Sequence, residues 1–134
     1  MNFFFNLILN AIIGLSITWL ALFGINYANE ISHNPQIVGT WELVLMGGVP
    51  PGEHEDEAYS IFEGTVDTFF ADGTGASFSP GADPEITAFN WWTRGDSLSI
   101  FFADFNIRYN MRFRVDEAAL ILTGTGEEVW MRVE

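Results

Sequence analysis

The densest group of ionisable side chains is the run Glu53-His54-Glu55-Asp56-Glu57. Carboxylate oxygens are calcium ligands, but a calcium-binding loop needs them at defined alternate positions with a glycine in the turn. A zinc site needs three or four ligands that converge on one point, and this run offers a single histidine. Because neither pattern is present, we expect a solvated loop between two strands and no bound metal.

The rest of the sequence also lacks the residue motifs that are typical of catalytic sites. The chain has no cysteine, and its two histidines are His33 and His54. It contains no Gly-x-Ser-x-Gly nucleophile elbow, no glycine-rich phosphate-binding loop and no His-Glu-x-x-His motif. We therefore predict that the protein is not an enzyme and uses no cofactor.

The charged side chains all lie between Glu30 and Glu134, where 18 acids and five arginines give a net charge of −13. Nucleic-acid binding needs clusters of lysine and arginine that neutralise phosphates. Adhesion to anionic lipid has the same requirement. The composition therefore argues against both kinds of partner.

Residues 1–29 contain no charged side chain and are dominated by Phe, Leu, Ile, Ala and Trp. As a helix, residues 3–27 would be about 37 Å long, enough to cross a hydrocarbon core of about 30 Å. The alternative is a cleaved signal peptide, but the segment begins without Lys or Arg and exceeds the usual signal-peptide core. We predict a retained transmembrane helix, with its N-terminus in the cytoplasm and the acidic domain in the periplasm or outside the cell.

Polar and small residues recur every four positions in this segment, at Asn6, Asn10, Gly14 and Thr18. That spacing places them along one side of a helix. In lipid, such side chains let helices approach closely and hydrogen-bond across the contact. The stripe predicts contact with other membrane-protein subunits; the alternative is that these side chains bond back to their own helix.

Residues 37–134 follow a linker at 30–36 and predict an all-β domain. Residues 107–115 alternate strictly between apolar and polar side chains, which is typical of a half-buried strand. Asp72-Gly73 and similar turn signals separate the other segments. The predicted strands cover residues 37–46, 61–70, 74–79, 86–93, 97–102, 106–115, 118–123 and 127–133. Eight short antiparallel strands favour an up-and-down barrel, because closure removes exposed edges.

Five short motifs follow one another along this domain: Gly39-Thr40-Trp41, Phe69-Phe70-Ala71-Asp72-Gly73-Thr74, Phe89-Asn90-Trp91, Gly95-Asp96-Ser97-Leu98-Ser99-Ile100 and Val129-Trp130-Met131-Arg132-Val133. In their order and spacing, residues 37–133 resemble the small bacterial lipocalin-like domains. The resemblance implies that Trp41 plugs one end of the barrel and that Arg132 lies across its ring. The chain differs from secreted lipocalins in being shorter and in lacking cysteine.

Two sets of side chains are candidates for binding. One is aromatic and either lines a pocket for an apolar ligand or fills the barrel, and we expect filling: Phe69, Phe78, Phe89, Trp91, Phe102, Tyr109 and Phe113. The other is a candidate docking face on the outer side of the strands, whose arginines we expect to pair with neighbouring carboxylates: Arg108, Arg112, Arg114, Trp92 and Phe101.

Two classes of function agree with these observations. In the first, the protein is a non-catalytic accessory subunit, anchored by one transmembrane helix in a larger membrane complex that its β-domain braces or caps. In the second, it is a membrane-tethered, lipocalin-like binder of a small hydrophobic ligand such as a lipid, pigment or quinone. The polar stripe in residues 1–29 favours the first class, and an internal cavity of about 300 Å³ or more would favour the second.

Overall fold

Eight antiparallel strands close into a barrel in the computed structural model, which describes residues 30–81, 83–124 and 126–133. Each strand pairs with the next along the chain, and the first also pairs with the last. The prediction of an all-β, eight-stranded antiparallel barrel is therefore confirmed. The strands are β1 Gly39–Met46, β2 Val66–Phe69, β3 Thr74–Ser79, β4 Glu85–Arg94, β5 Ser97–Phe102, β6 Ile107–Asp116, β7 Ala119–Thr123 and β8 Glu127–Arg132.

The predicted transmembrane helix over residues 1–29 lies outside the described residues, and so does its contact stripe of Asn6, Asn10, Gly14 and Thr18. Within the part of the chain that the structure describes, no helix has the length and apolar character needed to cross a membrane.

The connection between β1 and β2 differs from the predicted one. It contains two 3-10 helices, Pro51–Glu53 and Glu57–Phe62, so the strand predicted for residues 61–70 is reduced to β2. The Asp56 side chain accepts a hydrogen bond from the Ala58 amide and caps the second helix. Gly64 then adopts a left-handed backbone with φ of 78°, so the extended conformation begins only after it.

A β-bulge interrupts β1 between Leu43 and Leu45. Leu43 is opposite Trp130 on β8, whereas Leu45 is opposite Val129. The extra residue reverses the alternation of inward and outward side chains beyond Leu43. As a result, Met46 faces the interior at the end of the strand.

One end of the barrel is closed by Trp41 and Arg132. The Arg132 guanidinium lies 4.2 Å from the centre of the fully buried Trp41 ring, and it donates hydrogen bonds of 3.0 Å to the carbonyl oxygens of Val38 and Gln36. The Trp41 indole donates to the Ile37 carbonyl at 2.8 Å. A side chain at Gly39 would collide with the guanidinium, which explains the glycine two residues before the tryptophan.

Residues 31–37, which include most of the predicted linker, are bonded to the same end of the barrel. The backbones of Ser32 and Thr93 exchange hydrogen bonds of 2.9 and 2.7 Å. His33 packs edge-on against Trp91, and Ile37 is fully buried in the core. The β-domain therefore includes residues that precede its first strand.

Aromatic rings fill one side of the interior from the closed end towards the other end. Successive ring centres lie 5.2 to 6.0 Å apart, the spacing of packed aromatic pairs. Gly75 makes room for this packing, because a side chain there would overlap the Phe89 ring. The series runs Trp91, Phe69, Phe89, Phe102 and Tyr109.

The arrangement at the closed end predicts the effect of Arg132→Ala. The change removes a cation–π contact and two charge-assisted hydrogen bonds, so we expect it to lower the free energy of unfolding by about 1–3 kcal/mol. Urea unfolding of the full chain measures the loss. Arg114→Ala, on the exposed outer face of β6, is the matched control. Equal stability losses in the two variants would contradict the closing role.

Candidate functional site

A cavity of about 350 Å³ lies at the end of the barrel opposite Trp41, and we call it the mouth cavity. This is the end where β1 finishes at Met46 and β2 starts at Val66. Its walls are mainly apolar and come from β1, β2, β3, β5, β6, β7, β8 and the second 3-10 helix. The apolar lining residues are Leu43, Met46, Phe62, Ile100, Phe102, Met111, Leu122 and Trp130.

The barrel is open at this end because several inward positions carry small side chains. Ser77 and Ser79 face the cavity from β3, and Gly124 and Gly126 face it from the β7–β8 turn. An eight-stranded barrel has just enough interior for its side chains to fill. Small residues at these positions leave space that the neighbouring aromatic side chains do not fill. Our expectation of a filled barrel therefore applies only to the closed half.

Asp67 faces this cavity from β2, on the same side of the strand as Phe69. It is 8% exposed, and its Oδ1 atom has no hydrogen-bond partner among the described residues. Thr65, which is 6% exposed, also lines the cavity and its hydroxyl is likewise without a partner there. Buried polar atoms without a partner cost free energy. These two atoms are therefore positioned to interact with a molecule in the cavity.

Burial raises the pKa of Asp67 from its ordinary value of 3.8 to about 6, since the ionised form loses its hydration. The neighbouring Ser77 hydroxyl opposes the rise by hydrogen bonding, and the negative charge of Glu128 reinforces it. Glu128 also lines the cavity and accepts a hydrogen bond of 3.0 Å from the Trp130 indole. At neutral pH, Asp67 is therefore mainly ionised and held against a desolvation penalty.

The titratable groups that line the mouth cavity are Asp67, Glu128 and Tyr109. Among the described lining residues there is no arginine or histidine, so no cation balances the two carboxylates. The cavity is apolar over most of its wall and negative at one part of it.

The predicted ligand-lining aromatics separate into two groups. Phe102 and Tyr109 line the mouth cavity. The other five lie elsewhere. Phe69, Phe89 and Trp91 are buried in the packed core, Phe113 packs against that core, and Phe78 is exposed on the barrel.

The residues of the candidate docking face lie on β4, β5 and β6, and Arg108, Phe101 and Trp92 are neighbours there. Arg108 lies opposite Phe101 in the strand register, and its guanidinium is 5.4 Å from the Trp92 ring centre. Arg112 forms a salt bridge of 2.8 Å with Asp96, and both side chains are well exposed. Arg114 is exposed further along β6. Two of the three arginines therefore have partners on the barrel itself.

The acidic run at residues 53–57 is partly ordered by local bonds. The His54 Nε2 atom lies 2.6 Å from the Met46 carbonyl oxygen, and its ring packs on Tyr59. Among the described residues, no three His, Cys, Asp or Glu side chains are placed to hold a metal ion together.

Sequence reasoning missed Asp67, Glu128 and Thr65 as cavity residues, although one signal was available. In the stretch Thr65 to Phe69, every second residue faces inward, so an acid falls at a position that should be apolar. Glu128 is two residues from the buried Trp130 in the same way. An acid at an inward position of a strand therefore indicates a candidate site, and this signal can be read from the residue pattern alone.

Searches of protein-family models and of curated proteins found no match to this chain.

The raised pKa of Asp67 predicts how Asp67→Asn changes stability with pH. Protonated Asp67 is not penalised by burial, so its contribution to stability is fully present below the unfolded-state pKa, near 3.8. That contribution is lost as the pH rises through about 6, because the carboxyl group of the folded protein then ionises in its buried position. Removing the charge should therefore stabilise the protein by about 2 kcal/mol more at about pH 7.5 than at about pH 4.5.

Urea unfolding of the full chain at both pH values measures this difference. Asp116→Asn, at the exposed end of β6, is the control and should show no such dependence. The same gain from Asp67→Asn at both pH values would contradict the buried, destabilised carboxylate.

Proposed function

We propose that the protein is a lipocalin-like binder of a small, largely apolar molecule, which it holds in the mouth cavity. The observation that carries the proposal is the cavity itself, about 350 Å³ in volume, apolar over most of its wall and supplied with buried polar atoms. Small-molecule sites have volumes of about 300–1,000 Å³ and combine an apolar lining with a few polar groups that orient the ligand. The mouth cavity has each of these properties.

The composition of the rim supports access by an apolar molecule. Exposed large apolar side chains surround the mouth, with Ile61 69%, Ile86 71% and Phe105 55% exposed. They lie on the β1–β2 connection, at the start of β4 and in the β5–β6 turn, all at the open end. These side chains offer apolar surface at the entrance, which an apolar ligand can contact before it enters the cavity.

The closed end supports the lipocalin-like identity. The resemblance implied that Arg132 lies across Trp41, and these residues stack at 4.2 Å at the end opposite the cavity. A barrel plugged at one end and open at the other is suited to holding one small molecule. We further propose that residues 1–29 anchor this binder in the cell membrane with the barrel on the periplasmic or extracellular side.

Ligand protection of a single introduced thiol tests this function. The natural chain has no cysteine, so Ser79→Cys places the chain's one thiol in the cavity wall. The full chain in lipid nanodiscs is labelled with N-ethylmaleimide in the presence and absence of naphthylacetamide, a neutral aromatic probe. We expect the probe to slow labelling about tenfold, because it occupies the space through which the reagent reaches the thiol.

Ala88→Cys provides the matched control, because Ala88 is exposed on β4 and does not line the cavity. Its labelling rate should not change with the probe. Unchanged labelling of Ser79→Cys at saturating probe would refute the binding function.

The polar stripe at Asn6, Asn10, Gly14 and Thr18 favours a second candidate function. As an accessory subunit, the protein would pack this stripe against other membrane helices. Its outer face of Trp92, Phe101 and Arg108 would then be available to the soluble part of the same complex. The two functions are compatible, since a subunit of a complex can also bind a ligand.

Purification of the full chain in mild detergent tests the accessory role, with the proteins that remain bound identified by mass spectrometry. We expect stable membrane-protein subunits with the natural chain and their loss in Asn10→Leu, which removes a hydrogen-bonding group from the stripe. Ile8→Leu, away from the stripe, is the control. A natural chain that purifies as a clean monomer would contradict this role.

A further inference from the structure

The negative part of the mouth cavity indicates what kind of molecule it takes. We propose that the occupant is an organic amine, whose protonated nitrogen donates a hydrogen bond to Asp67 while its apolar body fills the rest of the cavity. This inference rests on the proposed binding function and adds the chemical class of the ligand.

Asp67 supplies the recognition geometry. Its side chain is nine-tenths buried, lines the cavity, and has an Oδ1 atom that accepts no hydrogen bond from any described residue. The Thr65 hydroxyl lies two residues earlier on the same side of the chain, is equally buried, and is also without a partner there. A protonated amine donates its N–H to the acceptor at Asp67, and an amine with a second N–H group also has a donor for the Thr65 oxygen.

The charges around the cavity favour a cation over a neutral or anionic ligand. Asp67 and Glu128 are both acids, and none of the described lining residues is a cation. The surrounding domain is strongly acidic, with a chain net charge of −13, so its field attracts cations and repels anions. An anion would meet two carboxylates in apolar surroundings, where like charges repel most strongly.

The desolvation of Asp67 provides the selectivity. A buried carboxylate without a counter-charge is unfavourable, and the addition of an opposite charge with a hydrogen bond offsets that cost. A neutral ligand relieves only the hydrogen-bonding part. Selectivity between otherwise equal ligands therefore depends on the charge of the group that reaches Asp67.

The remaining wall favours an organic cation over a metal ion. Leu43, Ile100, Leu122 and Trp130 make much of that wall apolar and offer no ligands to a metal. The described residues do not bring three metal-ligating side chains together. An amine on an apolar body matches both the acidic group and the apolar wall.

Binding should also depend on pH through Asp67. The titratable groups that face it in the cavity are Glu128 on β8 and Tyr109 on β6; the facing residues on β1, β3, β5 and β7 do not titrate. The pKa of Asp67 is raised to about 6 by burial. Amine binding should weaken as the pH falls below that value, because protonation removes the charge that the ammonium group recognises.

The test uses three probes that share a naphthylmethyl group and differ in the attached end: dimethyl(naphthylmethyl)amine, naphthylacetamide and naphthylacetate. Each is titrated at about pH 7.5 against the Ser79→Cys full chain, and the rate of thiol labelling reports occupancy. We expect the amine to protect at about tenfold lower concentration than the amide, and the acetate to protect least. At about pH 5 the preference for the amine should be lost.

Asp67→Asn, added to the same background, should weaken protection by the amine about tenfold and bring it close to the protection given by the amide, because the asparagine oxygen still accepts a hydrogen bond but carries no charge. A single cooperative urea-unfolding transition of the variant shows that its barrel is folded. Asp116→Asn, an exposed acid on β6, is the matched control and should alter neither probe.

Two outcomes separate the ligand class from the binding function. Equal protection by amine and amide, a preference for the acetate, or an amine preference that survives Asp67→Asn overturns the amine assignment and leaves the binding function in place. If none of the three probes protects the thiol at about 1 mM, both the assignment and the binding function are overturned.

Discussion

An eight-stranded barrel encloses just enough space for its inward side chains, and this constraint governs the molecule. Where large rings occupy the inward positions, as Trp41, Trp91 and Phe69 do, the interior is packed. Where serine and glycine occupy them, at Ser77 and Gly126, the same barrel holds a cavity. The two halves therefore differ in packing because they differ in side-chain volume, while the strand framework is shared.

The position of Asp67 gives the cavity its chemistry at a cost in stability. A carboxylate held nine-tenths buried without a counter-charge opposes folding at neutral pH. The closed end offsets such costs with the Arg132–Trp41 stack and its hydrogen bonds to the backbone. Binding sites commonly lower the stability of the empty protein, and binding of the ligand offsets that cost.

The fold could be predicted largely from local patterns, whereas the site could not. Alternation along Ile107 to Val115 and turns such as Asp72-Gly73 identify strands because the period of two is a local property. The bulge beside Leu43 depends on how β1 pairs with β8, so the sequence of β1 alone does not reveal it. The inward position of Asp67 can be read from its spacing to Phe69. Its lack of a counter-charge depends on the residues that β3, β5 and β8 place across the barrel, which no local pattern describes.

The function proposed for the mouth cavity requires that Asp67 be a desolvated carboxylate whose charge is available to a ligand. Carbon NMR of the Asp67 carboxyl group during a pH titration of the full chain tests this most directly, first without ligand and then with dimethyl(naphthylmethyl)amine. The structure predicts a pKa of about 6 without ligand and a marked fall when the amine is bound, because a neighbouring cation favours the ionised form. A pKa near the ordinary value of 3.8 that does not change with the amine would contradict the account.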